Sequence, residues 1–557
     1  MAKVVKKKKG LGGGALARSS AGRQTSSLRP RPTTKLPPCM DGCPQGTDIR
    51  AVLTTIAFSD KYGRTMEESY EKAWDIITKH NPLPAVCGRV CPHPCEINCN
   101  RKDKDEPIAI NNVERFIGDF GIEKGLTHKV GEEKYNEKIA VIGSGPAGLG
   151  CAFNLAKMGY PVTIFEAFSK PGGMLRYGIP AYRLPREVLD TEIQKIVDMG
   201  VELKTNCSVG NDITIDDLKK DYKAIFVSIG AHKGLSLRVD GEEAEGVYSG
   251  VEFLNRINSG EKIDLGKRVV VIGGGDTAID AARISIRLGA DVTILYRRTR
   301  NEMPAIEEEI DEAINEGIDI QFLAAPVEII KNGNRVNKIK AIRMELGEPD
   351  DSGRRRPVPI EGSEFEIELD TLIPAISQEP DFEGMEDLKA GPKDWIKTDE
   401  RQKVVDEIYA GGDVLNLGLV THALAHGRHA AVSIHSDLRG ISDPAVEELP
   451  KISSGKMRLD HYESQHRHEE EHLPIEERFG DLEIEVACTY AEEDLIAEAK
   501  RCMSCGYCFD CGKCWEFCQD NAVKKGEPGE IYTYHNNLCT GCKKCAEECP
   551  CGFLDMV

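Results

Sequence analysis

"KIAVIGSGPAGLGCAFNLAKMGYPVTIFEA", residues 138–167, sets the fold. An apolar run leads into Gly143, Gly145, Pro146 and Gly148; a helix-like stretch follows, and a second apolar run ends at Glu166, 23 residues beyond Gly143. Glycines there let the backbone turn sharply and approach a pyrophosphate at a helix N-terminus, while the acid can bind a ribose hydroxyl. The spacing predicts a strand–turn–helix–strand unit with a bound dinucleotide.

A second copy, "RVVVIGGGDTAIDAARISIRLGADVTILYRRTRNEMPA", spans 268–305, with Gly273, Gly275, Asp276, Thr277 and Ala278 in the motif. Its second run ends at Arg297 and Arg298 instead of an acid. Arginine there can accept a 2′-phosphate, which favours NADPH over NADH; the alternative is that one of them caps the strand. A third element, "IYAGGDVLNLGLVTHALAHGRHAA" at 408–431, places Asp413 after a strand and a Gly-Gly turn. The expected fold class is therefore α/β with two Rossmann-like domains, the chain leaving the first, forming the second and returning.

Cysteine usage adds two further domains. The chain of 557 residues holds 20 cysteines and a net charge of −20. No secretory leader or run of about 18 apolar residues is expected, so the protein reads as cytoplasmic, with thiols as metal ligands rather than disulfides. The acidic balance argues against nucleic acid, although the first 35 residues carry ten Lys or Arg and no acid. That arm reads as disordered, or as a docking segment for an acidic partner.

"CTGCKKCAEECP" at 539–550 is the C-x2-C-x2-C-x3-C-P run whose fourth cysteine ligates the other cluster of a two-cluster ferredoxin, and 508–518 repeats the spacing. Cys508, Cys511, Cys514 and Cys549 then hold one [4Fe–4S] cluster; Cys539, Cys542, Cys545 and Cys518 hold the other. Zinc ribbons use two separated C-x2-C pairs, and Cys551 is left spare. The expected layout is a basic disordered arm over 1–36, a helical cysteine-bearing domain over 37–130 and a first dinucleotide domain over 131–260 and 390–440, which the resemblance described next makes an Fe–S domain and an FAD domain. An NAD(P)H domain follows over 261–389, then a polar linker over 441–497 and an α+β ferredoxin-like domain over 498–557.

The sequence resembles the small subunit of NADPH-dependent glutamate synthase and its relatives. The match is carried by "PGGMLRYGIPAYRLP" at 171–185, "GGGDTAIDAAR" at 273–283, "YRRTRNEMPA" at 296–305 and "GGDVLNLGLVTHALAHGRHAA" at 411–431. The resemblance implies FAD at the first site, with Gly173 and Met174 nearby and Asp413 on the ribityl chain, and NADPH or NADH at the second. It implies a cluster on Cys43, Cys91, Cys95 and Cys99, with Cys87 a packed thiol. The family's upstream motif has a leading cysteine pair that this chain lacks before Cys39, and "EAKRCMSC" at 498–505 looks like that half displaced. Cys39, Cys502, Cys505 and a non-cysteine ligand, Glu114, are the expected further set. That makes four clusters, or three if Cys502 and Cys505 are unpaired.

A disulfide reductase needs a redox cysteine pair beside the flavin, yet only Cys207 lies between Glu166 and Gly273, and Cys151 reads as core. No acid–base dyad or nucleophile stands out, so no catalytic residue is assigned. The reading is an electron-supplying oxidoreductase with a protein partner. The ferredoxin tail resembles DsrL-type NAD(P)H oxidoreductases, which implies a sulfite reductase-type partner. A glutamate synthase-type partner, a ferredoxin, a homodimer or a mainly assembling role are the alternatives.

Overall fold

The computed structural model describes residues 25–350, 353–391, 394–445 and 448–557. They divide into two compact units, one holding 36–451 with 464–503, the other the chain up to Lys35 with 452–463 and 504–557. Among the described residues no helix is long and apolar enough to cross a membrane.

The larger unit begins with helices Ile49–Ala57, Met66–Ile77, Pro84–Val90 and Ile110–Glu123. Their starts are written in the sequence: Asp48 accepts from the Ala51 N–H at 2.9 Å, and Thr65 and Glu68 form a reciprocal capping box. The last two helices cross on glycine. A Cβ at Gly88 would stand 2.4 Å from the Arg115 backbone, and one at Gly118 would stand 2.2 Å from the Ala85 nitrogen. This crossing carries Glu114 up against the cysteines that follow Val90.

Next comes a six-stranded sheet in the order Lys403–Val405, Ile408–Ala410, Ala224–Val227, Ile139–Ile142, Val162–Phe165, Glu202–Lys204. The last five strands are parallel and the first is antiparallel to its neighbour. The central ones are buried throughout, as a sheet covered on both faces requires. Helices Pro146–Met158 and Val420–Arg439 pack together, with a Cβ at Gly427 only 2.2 Å from the Ala147 carbonyl oxygen.

Inserted between these strands is a parallel sheet ordered Thr371–Pro374, Arg268–Ile272, Asp291–Tyr296, Asp319–Phe322. Beside it lies an antiparallel sheet over 324–368, which the sequence reading did not separate from the nicotinamide domain.

Two expectations need correction. The polar linker over 441–497 is not simply solvated, because its apolar and arginine side chains find partners. Val486 is buried and its N–H donates to the Tyr182 carbonyl at 3.0 Å; Arg478, also buried, pairs with Glu312 and Glu316. Glu485 pairs with Arg89 and Arg115, at 2.6 and 3.0 Å. Helix Glu492–Lys500 then packs against Ile49–Ala57 and Ile110–Glu123. Buried Glu498 accepts from the Ala109 N–H at 2.7 Å, and buried Arg501 donates to the Glu106 carbonyl at 2.7 Å. The sequence reading divided this helix at 498 between the linker and the ferredoxin-like domain; its contacts are with the helical domain.

The expectation of disorder over 1–36 does not hold for the described part of that stretch, which starts at residue 25. Residues 1–24 lie outside the described residues, but Pro30–Pro32 pairs antiparallel with Leu554–Met556 in the smaller unit. Ser26 Oγ donates to the Gly541 carbonyl at 2.8 Å, and buried Lys35 donates to the Gly552 carbonyl at 2.6 Å. The rest of this unit is two-fold in pattern. Left-handed Gly512 (φ 83°) and Lys543 (φ 66°) start the short helices Lys513–Glu516 and Lys544–Glu547, each inside one cysteine run.

Candidate functional site

One cavity of about 480 Å³ is lined by Gly143 and Gly145 of the first motif and reaches Asp276 and Thr277 of the second. Gly143, Gly145, Pro146, Glu166, Gly173, Met174 and Asp413 line it from the first nucleotide domain, Asp276 and Thr277 from the second. Gly143 has φ 93° and a Cβ there would meet the Ser228 oxygen at 2.4 Å; one at Gly148 would meet the Gly143 oxygen at 1.9 Å. Gly145 differs, since the nearest protein atom to its Cβ position is 4.0 Å away. Two glycines thus fold the turn and the third leaves room for a ligand, a cradle that fits a dinucleotide pyrophosphate at the start of Pro146–Met158.

Glu166 ties the turn to its strand: its carboxylate accepts from the Ser144 N–H (2.9 Å), the Ser144 hydroxyl and the Phe168 N–H (2.8 Å). Asp413 is pushed up to about 6 by burial, against the Gly418 N–H that donates to it at 3.1 Å.

The second motif repeats the arrangement. Gly273 (φ 145°) packs under the Ala375 carbonyl, Gly275 has only Pro304 within 4 Å of its Cβ position, at 3.8 Å, and Ala278 is buried. The two arginines separate in role. Arg298 is buried, pairs with Asp350 at 2.6 Å and donates to the Arg355 carbonyl at 2.7 Å. Arg297 is exposed and makes no ion pair among the described residues; burial of part of its stem and the charge of Arg298 push its pKa down.

Sequence reasoning missed Arg183 and Asp280. Both line the cavity, and Arg183 donates to the two Asp280 oxygens at 3.0 and 2.9 Å, with Tyr182 OH 3.1 Å from one of them. Burial nonetheless pushes Asp280 up to about 6. The signal was present in "AYRLP" and "TAID", stretches read for family likeness and not for charge.

Beside this cavity is a second, small one lined by Cys43, Cys91, Cys95 and Glu114, with Gln45, Asn81 and Thr421. Val90 and Pro92, the neighbours of Cys91, wall the dinucleotide cavity; so do Leu419 and Val420, which precede Thr421. Cys91 Sγ lies 4.0 Å from Thr421 Oγ1. Glu114 is buried, which pushes it up to about 7, although Asn81 donates to it at 2.8 Å. Burial likewise pushes Cys91 up to about 12 and raises Cys43.

This grouping differs from the expected one. Glu114 faces Cys43, Cys91 and Cys95, and Cys99 is not in that lining. Cys99 sits by Arg501, in a core that it shares with Cys95 and that Cys39, Cys43 and Cys502 pack against. The physical reason is the glycine-mediated helix crossing, which fixes Glu114 beside Cys91. Cys87 is buried, its thiol 3.6 Å from Asn81 Oδ1, and Cys151 is core. Among the described residues no three His, Cys, Asp or Glu side chains converge on a single ion. Buried free thiols beside a carboxylate fit a cluster with thiolate ligands spread around it.

In the smaller unit, Cys545, Cys549 and Cys551 share a core with Cys508 and Cys514. Several sulfurs already accept hydrogen bonds: Cys518 from the Ala522 N–H at 3.2 Å, Cys539 from the Gly541 N–H at 3.3 Å and Cys514 from Tyr534 OH at 3.4 Å. Burial pushes Cys511 up to about 11 and Cys545 up to about 12. Cys542 and Cys505 are half-buried in this unit. Cys551 Sγ is 3.8 Å from Cys549 Sγ.

Comparison with known proteins agrees with this geometry. Residues 137–427 match the model of the pyridine nucleotide-disulphide oxidoreductase family, and 32–126 match dihydropyrimidine dehydrogenase domain II, 4Fe-4S cluster. The NADP(+)-dependent formate dehydrogenase subunit beta of Moorella thermoacetica is 39% identical over 84% of this chain and 70% of its own length. The NADPH-Fe(3+) oxidoreductase subunit beta of Geobacter sulfurreducens is 43% identical over 62% of this chain, which spans about half (51%) of that relative. The glutamate synthase [NADPH] small chain of Escherichia coli (strain K12) is 37% identical over 65% of this chain and 82% of its own length. The chain therefore belongs to the pyridine nucleotide-disulphide oxidoreductase family, among its NAD(P)H-dependent iron–sulfur flavoproteins.

Proposed function

We propose that the protein is an electron-exchange subunit, taking electrons from NADPH through FAD and [4Fe–4S] clusters to a protein partner. The observation that carries this is the wall common to two sites: the residues on either side of Cys91 line the dinucleotide cavity while Cys91 lines the thiol pocket. A bound flavin supplies conversion of a hydride pair into single electrons, and clusters supply one-electron carriers. Gly145, Glu166 and Asp413 would hold the flavin, while Asp276, Thr277 and Arg297 would hold the nicotinamide dinucleotide. Cys43, Cys91, Cys95 and Glu114 are the ligand set favoured for the nearer cluster. Cys39, Cys99 and Cys502 are a second set, in which Cys505 is kept on its C-x2-C spacing alone. The ferredoxin-like runs keep the pairing read from their spacing.

The relatives named above are parts of different redox enzymes, so the common part is electron exchange with a pyridine nucleotide. For the acceptor itself, the ferredoxin tail supports a sulfite reductase-type protein, ahead of a glutamate synthase large subunit or a free ferredoxin. Anaerobic addition of NADPH should bleach the flavin and then raise cluster EPR signals; absence of bleaching sinks the reading. Iron near sixteen per chain supports four clusters and near twelve supports three, at about four iron atoms each. Co-purification from the native cell under anaerobic conditions identifies the partner.

A further inference from the structure

Helix Val420–Arg439 begins at the wall of the dinucleotide cavity and carries Arg428 two turns on. Arg428 Nη2 donates to the Gln45 carbonyl at 3.2 Å and lies 3.2 Å from His429 Nε2; its Nε is buried with no hydrogen-bond partner. Burial pushes its pKa down, and the group that offsets this is the Cys43 sulfur, not a carboxylate. His80, His426 and His429 nearby are all pushed down, chiefly by burial, and Arg428 adds to this at His80 and His429.

Gln45 presents a second unmet need. It is 1% exposed, lines the thiol pocket with Cys43, Cys91 and Cys95, and both atoms of its carboxamide are buried without a partner. Its backbone N–H, with the N–H and hydroxyl of Thr47, already points at the Cys43 sulfur. Buried donors of this kind are costly unless an acceptor arrives. A cluster with three thiolate ligands and one carboxylate ligand is such an acceptor: it is net negative, and each electron it gains makes it more so.

We propose that Arg428 and the Gln45 carboxamide form the positive, hydrogen-bonding flank of the cofactor held at Cys43, Cys91, Cys95 and Glu114, and set its affinity for an electron. This rests on the reading of that pocket as a cluster site. Both are positioning residues acting on the cluster's surroundings; neither is a ligand. A net positive neighbour favours the reduced form, so its removal lowers the potential.

The test uses the full chain purified anaerobically with its iron. Wild type, Arg428→Gln, Arg428→Lys and Gln45→Leu are titrated with reductant under EPR, with iron and sulfide measured on the same samples; Cys91→Ser identifies which signal belongs to this pocket. Arg428→Gln should keep its iron and shift that signal's reduction equilibrium at least about tenfold toward the oxidised form, 59 mV for one electron. Arg428→Lys should recover most of the shift, and Gln45→Leu should move the same way by less. An unmoved or raised midpoint in Arg428→Gln with iron retained overturns the inference. If that variant does not fold, an unmoved midpoint in Gln45→Leu overturns it instead. Full iron and an unchanged set of signals in Cys91→Ser would refute the cluster reading itself, a different failure from a signal that exists and does not move.

Discussion

Cys91 Sγ and Thr421 Oγ1, 330 positions apart in the chain, stand 4.0 Å from each other where the thiol pocket meets the wall of the dinucleotide cavity. Cys91→Ser should therefore lose about four iron atoms per chain while NADPH still bleaches the flavin. Thr421→Val, which keeps the volume and removes the hydroxyl, should retain iron and shift the cluster's reduction equilibrium about fivefold, the worth of one hydrogen bond near 1 kcal/mol. Iron analysis and EPR titration read both.

Gly145 and Gly148 should separate ligand binding from folding. At Gly148 a Cβ meets backbone that cannot move aside, so Gly148→Ala should lose at least about 2 kcal/mol and lower the melting temperature. At Gly145 no protein atom lies closer than 4.0 Å, so Gly145→Ala should fold normally and be isolated without flavin. Absorbance and thermal melting distinguish them.

Arg297 and Arg298 are adjacent and should differ sharply. Arg297→Ala should raise the KM for NADPH about 10- to 100-fold, a charge-assisted hydrogen bond's worth, with little effect on NADH or on stability. Arg298→Ala removes the pair with Asp350 and the bond to the Arg355 carbonyl, and should lower stability while affecting both dinucleotides alike. Steady-state kinetics with the two dinucleotides, beside a melting curve, decide it.

His472, in the stretch over 441–497, pairs with Glu312 of the nicotinamide domain at 3.5 Å. Glu312 and then Glu470 raise it to about 9, above its unfolded value near 6.5. Its folded pKa is the higher one, so its contribution is complete below about pH 6.5 and lost as pH rises through about 9. Thermal melts of wild type should decline over that window, and those of His472→Asn should decline less.

Both nucleotide sites were legible because their chemistry is local: glycine spacing, a following helix and an acid or arginine within one supersecondary unit fix the geometry. Glu114 was singled out from the sequence, but the cysteines that share its pocket were not legible, because its neighbours depend on Gly88 and Gly118 letting two helices cross, and nothing in the local pattern announces a crossing. Arg478 and Val486 hid in a stretch whose composition is polar; their partners, Glu316 and Tyr182, lie more than 150 residues upstream. The antiparallel strands over 324–368 alternate weakly and were absorbed into the domain around them.

The pairing of Pro30–Pro32 with Leu554–Met556 bears on how the protein is made. During synthesis the first of these strands leaves the ribosome more than 500 residues before its mate, and the intervening domains can mature in that interval. The smaller unit cannot close until the second strand emerges, so any cluster it holds is expected to be loaded after the flavin-side domains have folded. A substitution that breaks this pairing would then slow iron loading of this unit before it touched flavin binding.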